Sequence, residues 1–427
     1  MNGEPGEQKL GIIVGGGPAP GINGVIHSAT IEAVLNGLEV IGIYDGFKHL
    51  MEGEMVCKPL EINDVSRIHL EGGSILRTSR ANPTKSEALL KKCVLALMEA
   101  NIGYLVAIGG DDTAYSAYRV SKYAEKEMGI EIKTVHVPKT IDNDLPLPDD
   151  IRTFGFETAR ELGTHIVMNM MEDALTGQRW FLVVTMGRKA GHLALGIGKS
   201  SGATITLIPE EWNDREIRLQ EVIDILATSL IKRQAEGKPY GVALVAEGII
   251  EQMSSEDLDM LDEAERDAHG HIRLSEINSS DILKKALRKE LHNLGMDVRI
   301  VSKDLGYELR CADPIAFDID YTRSLGEAAV DYLLKGGNHA TITIQRDQVV
   351  PIPSDEMMDP ETGRTTVRQV NIDSFTYCSA NKFMIRLKPQ DANDPMLLAK
   401  MAAQTNLSPE AFKARFGYLL NIAERPF

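Results

Sequence analysis

The sequence predicts an α/β protein with mainly parallel sheets and two lobes. Three observations carry this. Short β-branched runs alternate along most of the chain with amphipathic stretches of helical length, the pattern of parallel strands joined by helical crossovers. Glycine-rich or acidic blocks directly follow several of these runs, where an open parallel sheet carries its ligand-binding loops. The 427 residues are also enough for two lobes, each with its own core.

From the N-terminus, Leu10–Val14 reads as the first strand, and the glycine turn from Gly15 to Gly21 opens a helix. Val40–Ile43 is a strand, Glu87–Ala100 a helix and Tyr104–Ile108 a strand, with a helix from about Thr113. Further strands are expected at Ile132–Val137, Phe181–Thr185, Thr204–Ile208, Val242–Val245, Val298–Val301 and Thr341–Ile344. Helices between them cover Phe156–Leu175, Glu216–Gln234, Ile277–Leu294 and Tyr321–Leu334. The Pro- and Asp-rich Asp144–Asp150 marks a boundary between lobes, and the acidic Glu251–Asp267 a solvated, partly helical insertion. From Val349 the alternation stops, with turns at Pro351, Pro353 and Asp359–Gly363. Asn393–Gln404 and Ser408–Phe416 read as terminal helices, the second with Ser408 as cap and Glu410 in its first turn. This last stretch closes a sheet edge or joins a subunit contact; no chemistry attaches to it.

Composition narrows the function. A net charge of −16 and pI of about 5.2 argue against a nucleic-acid surface, yet a local cluster of Arg and Lys can still bind phosphate. No apolar run approaches the ~18 residues of a membrane span. The opening MNGEPGEQ lacks the basic and apolar parts of a signal peptide. Cys57, Cys93, Cys311 and Cys378 are too scattered for a metal-ligand pair and read as free thiols of a cytoplasmic protein.

Two blocks carry the chemistry. Ile108-Gly-Gly-Asp-Asp-Thr113 offers bare amides at Gly109 and Gly110 beside two carboxylates. Pro138-Lys-Thr-Ile-Asp-Asn-Asp144 offers an ammonium, a hydroxyl and two more carboxylates. Glycine amides and lysine suit a polyphosphate, and a carboxylate nearby suits its Mg²⁺ or a substrate hydroxyl. Bland alternatives stand beside these: Asp111, Asp112 or Thr113 as a helix cap, and Thr140–Asp144 as an Asx-turn. If Thr140–Asp144 is extended, Asp142 and Asp144 project to one side.

Gly15–Gly21 exposes amides at a helix start; a dinucleotide-binding turn, with Asp45 as ribose ligand, would need glycine where Pro20 stands. Gly198-Lys-Ser200 imitates a P-loop but has Leu193 where that pattern needs glycine. Gly72–Ala81 can set Arg77 or Arg80 beside phosphate oxygens, or can be an ordinary solvated loop.

Jointly, the blocks resemble the phosphofructokinase family from about Leu10 to Thr343. They are Ala19-Pro20-Gly21, Gly109-Gly110-Asp111, Thr140-Ile-Asp-Asn-Asp144, Met186-Gly187-Arg188, Glu247-Gly248 and Leu305-Gly-Tyr-Glu-Leu-Arg310, in the family's order. The resemblance implies two Rossmann-like lobes with the active site in the cleft between them. Residues 1–154 would form the donor and Mg²⁺ lobe and 155–310 the fructose 6-phosphate lobe. Residues 311–348 would return to the first lobe, and 349–427 would be an extension.

Asp142 is then implied as general base, with Lys139 and Asp112 beside it, and Asp111 as the Mg²⁺ ligand. Gly17, Arg80, Gly110, Asp112, Thr113 and Lys139 would bind the donor. Thr140, Ile141, Met186, Gly187, Arg188 and Glu247 would hold the sugar, and Tyr307, Glu308, Leu309 and Arg310 its 6-phosphate end. Arg179 would reach a neighbouring subunit, implying a homodimer or homotetramer.

Two departures choose the donor. The ATP-using branch resembles Gly-Gly-Asp-Gly-Ser and Pro-Gly-Thr-Ile-Asp; this chain has Asp112 and Lys139 at the varied positions. Both match the pyrophosphate-dependent branch: Asp112 obstructs and repels a nucleotide, and Lys139 attracts a small polyanion. The implied reaction is reversible phosphoryl transfer from pyrophosphate to the 1-hydroxyl of fructose 6-phosphate, a glycolytic step. The competing readings are an ATP-dependent phosphofructokinase altered at two positions, a nicotinamide-dependent oxidoreductase, and a non-catalytic regulatory subunit.

Overall fold

A run such as Leu10–Val14, apolar or glycine throughout, cannot face water on either side. It lies as β1 (Lys9–Val14) near the middle of a seven-stranded sheet, buried from Leu10 onward. The computed structural model describes residues 8–213, 215–254, 256–257, 278–358 and 365–420. Most of the acidic insertion expected at Glu251–Asp267, and the turn at Asp359–Gly363, lie outside the described residues.

The chain folds as two compact units. One comprises Met1–Ala159 with Tyr307–Arg368, the other Arg160–Gly306 with Gln369–Phe427. In the first unit α1 (Ile22–Leu35) follows β1, then come β2 (Val40–Ile43), β3 (Cys57–Leu60), α2 (Glu87–Glu99), β4 (Ile102–Gly109), α3 (Asp111–Met128) and β5 (Lys133–Pro138). α4 (Phe156–Gly177) begins in this unit.

In the second unit follow β6 (Trp180–Thr185), α5 (His192–Ser201), β7 (Ile205–Leu207), α6 (Leu219–Ala235), β8 (Gly241–Ala246), α7 (Ser279–Asn293) and β9 (Ile300–Leu305). α8 (Ala316–Leu334), β10 (Ala340–Gln345) and β11 (Gln348–Pro353) return to the first unit. α9 (Phe375–Phe383), α10 (Pro395–Ala402) and α11 (Pro409–Phe416) complete the second.

The first sheet runs β11-β10-β5-β4-β1-β2-β3; its inner pairs are parallel, and the edge pairs β10–β11 and β2–β3 are antiparallel. The second runs β7-β8-β6-β9, all parallel. The mainly parallel α/β class is therefore observed. β3 was not expected: Cys57-Lys-Pro-Leu60 alternates poorly, and as an edge strand it tolerates Pro59. β11 shows that the stretch after Val349 does close a sheet edge. β9 lies further on than Val298–Val301, running through the polar Ser302-Lys-Asp304; as an edge strand it can leave these partly exposed.

The C-terminal stretch is pinned by charge. Arg386, 4% exposed, meets Glu211 through two bonds (2.6 and 2.8 Å), and Lys232 meets Asp391 at 2.6 Å. Arg415 forks onto Asp224 at 2.6 and 2.8 Å. The helix expected over Asn393–Gln404 is observed from Pro395 to Ala402, with Asp394 as its cap and the proline in its first turn. Ser408 caps α11 by accepting from Ala411 N–H at 3.2 Å. No described helix is long and apolar enough to cross a membrane.

Candidate active site

In the first unit β1 leads to β2 on one side while its other neighbour, β4, leads to β5 on the opposite side. Open α/β sheets take ligands at such a reversal, because the loops leaving the two strands diverge there. Backbone bonds align the loops: Gly15 N–H donates to Ile108 O (2.9 Å), and Lys139 N–H to Gly109 O (2.8 Å). A Cβ added at Gly15 or at Gly109 would lie 2.3 Å from the Thr113 side chain, so both positions must be bare for α3 to start this close.

Three side chains gather at the glycine turn. Lys139, buried, donates from Nζ to Gly17 O at 2.5 Å. A Cβ at Gly17 would stand 3.6 Å from the Arg310 guanidinium, whose central carbon lies 4.9 Å from the centre of the Tyr307 ring. Gly16 N–H donates to Ser79 O (2.8 Å) and Thr78 Oγ1 to Gly16 O (2.7 Å), which sets Arg80 one residue beyond this pairing. Two cations, Lys139 and Arg310, thus stand beside a half-buried glycine turn, an arrangement suited to an anion. Arg77 is instead engaged with Asp45 (3.4 Å) and stacked on Tyr44, so Asp45 serves this loop.

Asp111 and Asp112 occupy the first turn of α3, whose N-cap is Gly110 without a side-chain cap bond. The cap position is thus Gly110 and not an aspartate or Thr113, and both carboxylates lie at the positive helix end, where negative charge is favoured. Asp111 is half-buried and Asp112 exposed. Their donor atoms are hard oxygens, which fit Mg²⁺ and not a thiophilic ion.

The Thr140–Asp144 segment bends. Thr140 Oγ1 accepts from Asp142 N–H at 3.0 Å, and Asn143 has φ +57°. The same-side projection expected of an extended segment therefore does not apply, and the turn is built on a hydroxyl instead of an Asx side chain. Asp142 is buried with Ile141, and Asp144 is half-buried. Beneath the block, His136 Nε2 lies 2.7 Å from Gly109 O and Nδ1 3.0 Å from Thr341 Oγ1. Burial pushes this imidazole down to about 4, so it is neutral. A carbonyl only accepts, so Nε2 carries the proton and Nδ1 accepts from the Thr341 hydroxyl.

In the second unit β6 and β8 are neighbours, and their C-terminal ends carry the next blocks. Glu247 Oε1 accepts from both Gly187 N–H (3.0 Å) and Arg188 N–H (2.7 Å). Gly248 is required as glycine, since a Cβ there would lie 2.3 Å from Arg188 O. Arg188 is exposed at φ +49°. Glu251 is held above the ordinary carboxylate range, by burial first and then by the Glu247 charge. Met186 N–H donates to Leu305 O (2.9 Å), bringing the end of β9 alongside.

Arg179 is not part of this group. It precedes β6 and pairs with Asp173 (2.8 Å), while Met186 follows the same strand. Seven residues of extended chain put them roughly 20 Å apart. The false P-loop Gly198-Lys-Ser200 lies inside α5 and forms no loop.

One residue that the motifs do not reveal stands behind the Met186 loop. Glu210 Oε1 accepts from Gly191 N–H (2.8 Å) and from Val370 N–H (2.9 Å), tying the start of α5 to the C-terminal stretch. Burial, ahead of its hydrogen bonds, raises its pKa. Its only sequence signal was an acidic pair, Glu210-Glu211, directly after an apolar strand.

The phosphofructokinase family model matches residues 9–333, about three quarters of the chain. The chain belongs to the phosphofructokinase family. Among its relatives, the pyrophosphate–fructose 6-phosphate 1-phosphotransferase of Thermotoga maritima is 53% identical over 417 residues, covering 96% of this chain and 98% of that one. The enzyme of the same name from Naegleria fowleri is 48% identical over 421 residues, covering 96% and 95%. The solved phosphofructokinase of Saccharomyces cerevisiae matches 97% of this chain with a TM-score of 0.65 at 20% identity; this chain spans 50% of that longer one. This last likeness shows the phosphofructokinase fold.

Proposed function

We infer that this phosphofructokinase transfers a phosphoryl group reversibly from pyrophosphate to the 1-hydroxyl of fructose 6-phosphate. The observation that carries the choice of donor is Lys139, buried with its ammonium lodged on Gly17 O in the glycine turn. Its near-full-length relatives bear the name of that reaction.

Asp142 is assigned as the base. As the sugar's 1-oxygen attacks the donor phosphorus, Asp142 takes its proton; the new O–P bond forms, the bridging P–O bond breaks, and phosphate leaves. A base in this role must approach the hydroxyl to about 3 Å, directly or through one water. Gly17, Gly110, Thr113, Arg80 and Lys139 are assigned to the pyrophosphate, with Asp112 excluding a nucleotide. Thr140, Ile141, Met186, Gly187, Arg188 and Glu247 are assigned to the sugar, and Tyr307, Glu308, Leu309 and Arg310 to its 6-phosphate end. Asp111 would hold Mg²⁺, which when bound neutralises charge on the transferring phosphoryl group. Positioning and charge, without a covalent intermediate, suit the density of cations around the turn.

Arg179, set at the far end of β6, is assigned to a site on a second copy of the chain, so the active form is a homodimer or homotetramer. The deciding experiment compares steady-state rates with pyrophosphate and with ATP at equal Mg²⁺. Efficient pyrophosphate use with negligible ATP use is expected; equal use would refute the donor assignment.

A further inference from the structure

Arg368 belongs to no block, standing in the polar run Thr365-Thr-Val-Arg-Gln369. Its guanidinium spreads over one loop of the first unit. Nε and Nη2 donate to Asn143 O at 3.1 and 3.0 Å, and Nη2 also to Asn143 Oδ1 at 2.5 Å. Nη1 donates to the carbonyls of Leu147 (3.2 Å), Pro148 (2.9 Å) and Ile151 (2.7 Å). Its backbone N–H donates to Asp144 O at 2.8 Å.

The loop so gripped begins inside the Thr140–Asp144 block. Carbonyls turned inward at a bend need donors, because an unmet buried carbonyl costs about as much as a lost hydrogen bond. Asn143 is the pivot. Its left-handed backbone is unusual for a residue with a side chain, and its Oδ1 also accepts from Thr153 N–H at 3.1 Å. Leu145, Leu147 and Ile151 pack with Met357 and Ile352, so the same returning stretch supplies the loop's small apolar base.

We propose that Arg368 is a positioning residue for phosphoryl transfer: its planar fork fixes the bend at Asn143 and thereby the place of Asp142. The proposal rests on the assignment of Asp142 as base. Only a planar fork can serve carbonyls spread from Asn143 to Ile151; an ammonium keeps the charge but concentrates its donors at one point.

The test uses the full-length Arg368→Ala and Arg368→Lys variants. Pyrophosphate sites are counted by calorimetric titration, so that turnover is expressed per binding-competent site. Amide exchange over residues 142–153 is followed in parallel. Both variants are expected to lose about 10–100-fold in kcat per site, the cost of an ångström-scale misplacement. KM for pyrophosphate should stay within about twofold, because ground-state donor binding is untouched. Exchange should accelerate in 142–153 and not in the second unit.

Turnover per site within about twofold of wild type in Arg368→Ala would overturn the proposal. So would full restoration by Arg368→Lys, which would make charge, not the fork, the requirement. If the alanine variant does not fold, the lysine variant carries the test. Absence of pyrophosphate turnover in the wild type would sink the functional reading instead, and the exchange map would still report whether Arg368 holds the loop.

Discussion

Lys139→Met removes one positive charge from the glycine turn and keeps most of the side chain's bulk. The ammonium is buried and held on Gly17 O at 2.5 Å, so little of its attraction for an anion is spent on losing water. At an effective dielectric near 20, unit charges about 4 Å apart interact by about 4 kcal/mol. Allowing for the neighbouring cations and residual screening, a loss of about 3–4 kcal/mol corresponds to roughly 10²–10³ in kcat/KM for pyrophosphate. KM for fructose 6-phosphate should be unchanged, and no ATP activity should appear, since an attraction is deleted and no obstacle removed. The assay is initial-rate kinetics in both directions at fixed ionic strength. A loss below about fivefold would show that the Lys139 charge does not face the donor, and the reasoning from its burial in the turn would fail.

Asp142→Ser should lower kcat by about 10²–10⁴ with little change in fructose 6-phosphate affinity, measured by turnover and by equilibrium binding; near wild-type turnover would move the base elsewhere, Asp144 first. Asp112→Gly should raise ATP-dependent turnover from near zero, because an exposed charge at the start of α3 is removed; unchanged ATP exclusion would clear Asp112 of that role. Glu210→Ala should raise KM for fructose 6-phosphate by about tenfold through loss of charge-assisted bonds to Gly191 and Val370. Glu210→Gln, which keeps an accepting oxygen, should stay near wild type, and equal damage from both would contradict this.

Acid should unfold the protein partly through His136. Its folded pKa of about 4 lies below the unfolded value of about 6.5, so the unfolded chain binds its proton first. The contribution is full above pH ~6.5 and falls as pH drops toward 4, by about 2 kcal/mol between pH 7 and 5. His136→Gln should remove that part of the slope in denaturant unfolding at the two pH values; identical slopes would mean that His136 is not buried neutral.

The parallel class and the strands leading to Gly15, Gly110 and Lys139 were legible because both faces of those strands are buried and the polar blocks interrupt the apolar runs abruptly. The bend at Asn143 was not, since an Asp-Asn-Asp run suits an extended segment and a turn equally well until Thr140 Oγ1 and Arg368 choose. Glu210 and Arg368 were invisible for a shared reason. They act through backbone groups distant in sequence, and a carbonyl or amide carries no residue-type signature. β3 was missed, and β11 was foreseen only as a stretch closing a sheet edge and not as a strand, because the weaker patterning of edge strands follows from facing water.

The division of the chain between its units has a consequence during synthesis. β5 receives its outer neighbour, β10, only when residues beyond Ala340 are made, and the second unit lacks Arg386 and Arg415 until later still. At ~5–20 residues per second, the roughly 200 residues between β5 and β10 take on the order of tens of seconds to emerge. Throughout the interval before β10 pairs, β5 presents an open edge, with Lys139 and Thr140 following it, and open edges invite pairing with other chains. Nascent or truncated chains ending before Ala340 therefore carry an open edge at β5 that the finished sheet covers with β10, and they are expected to aggregate more readily than the full chain.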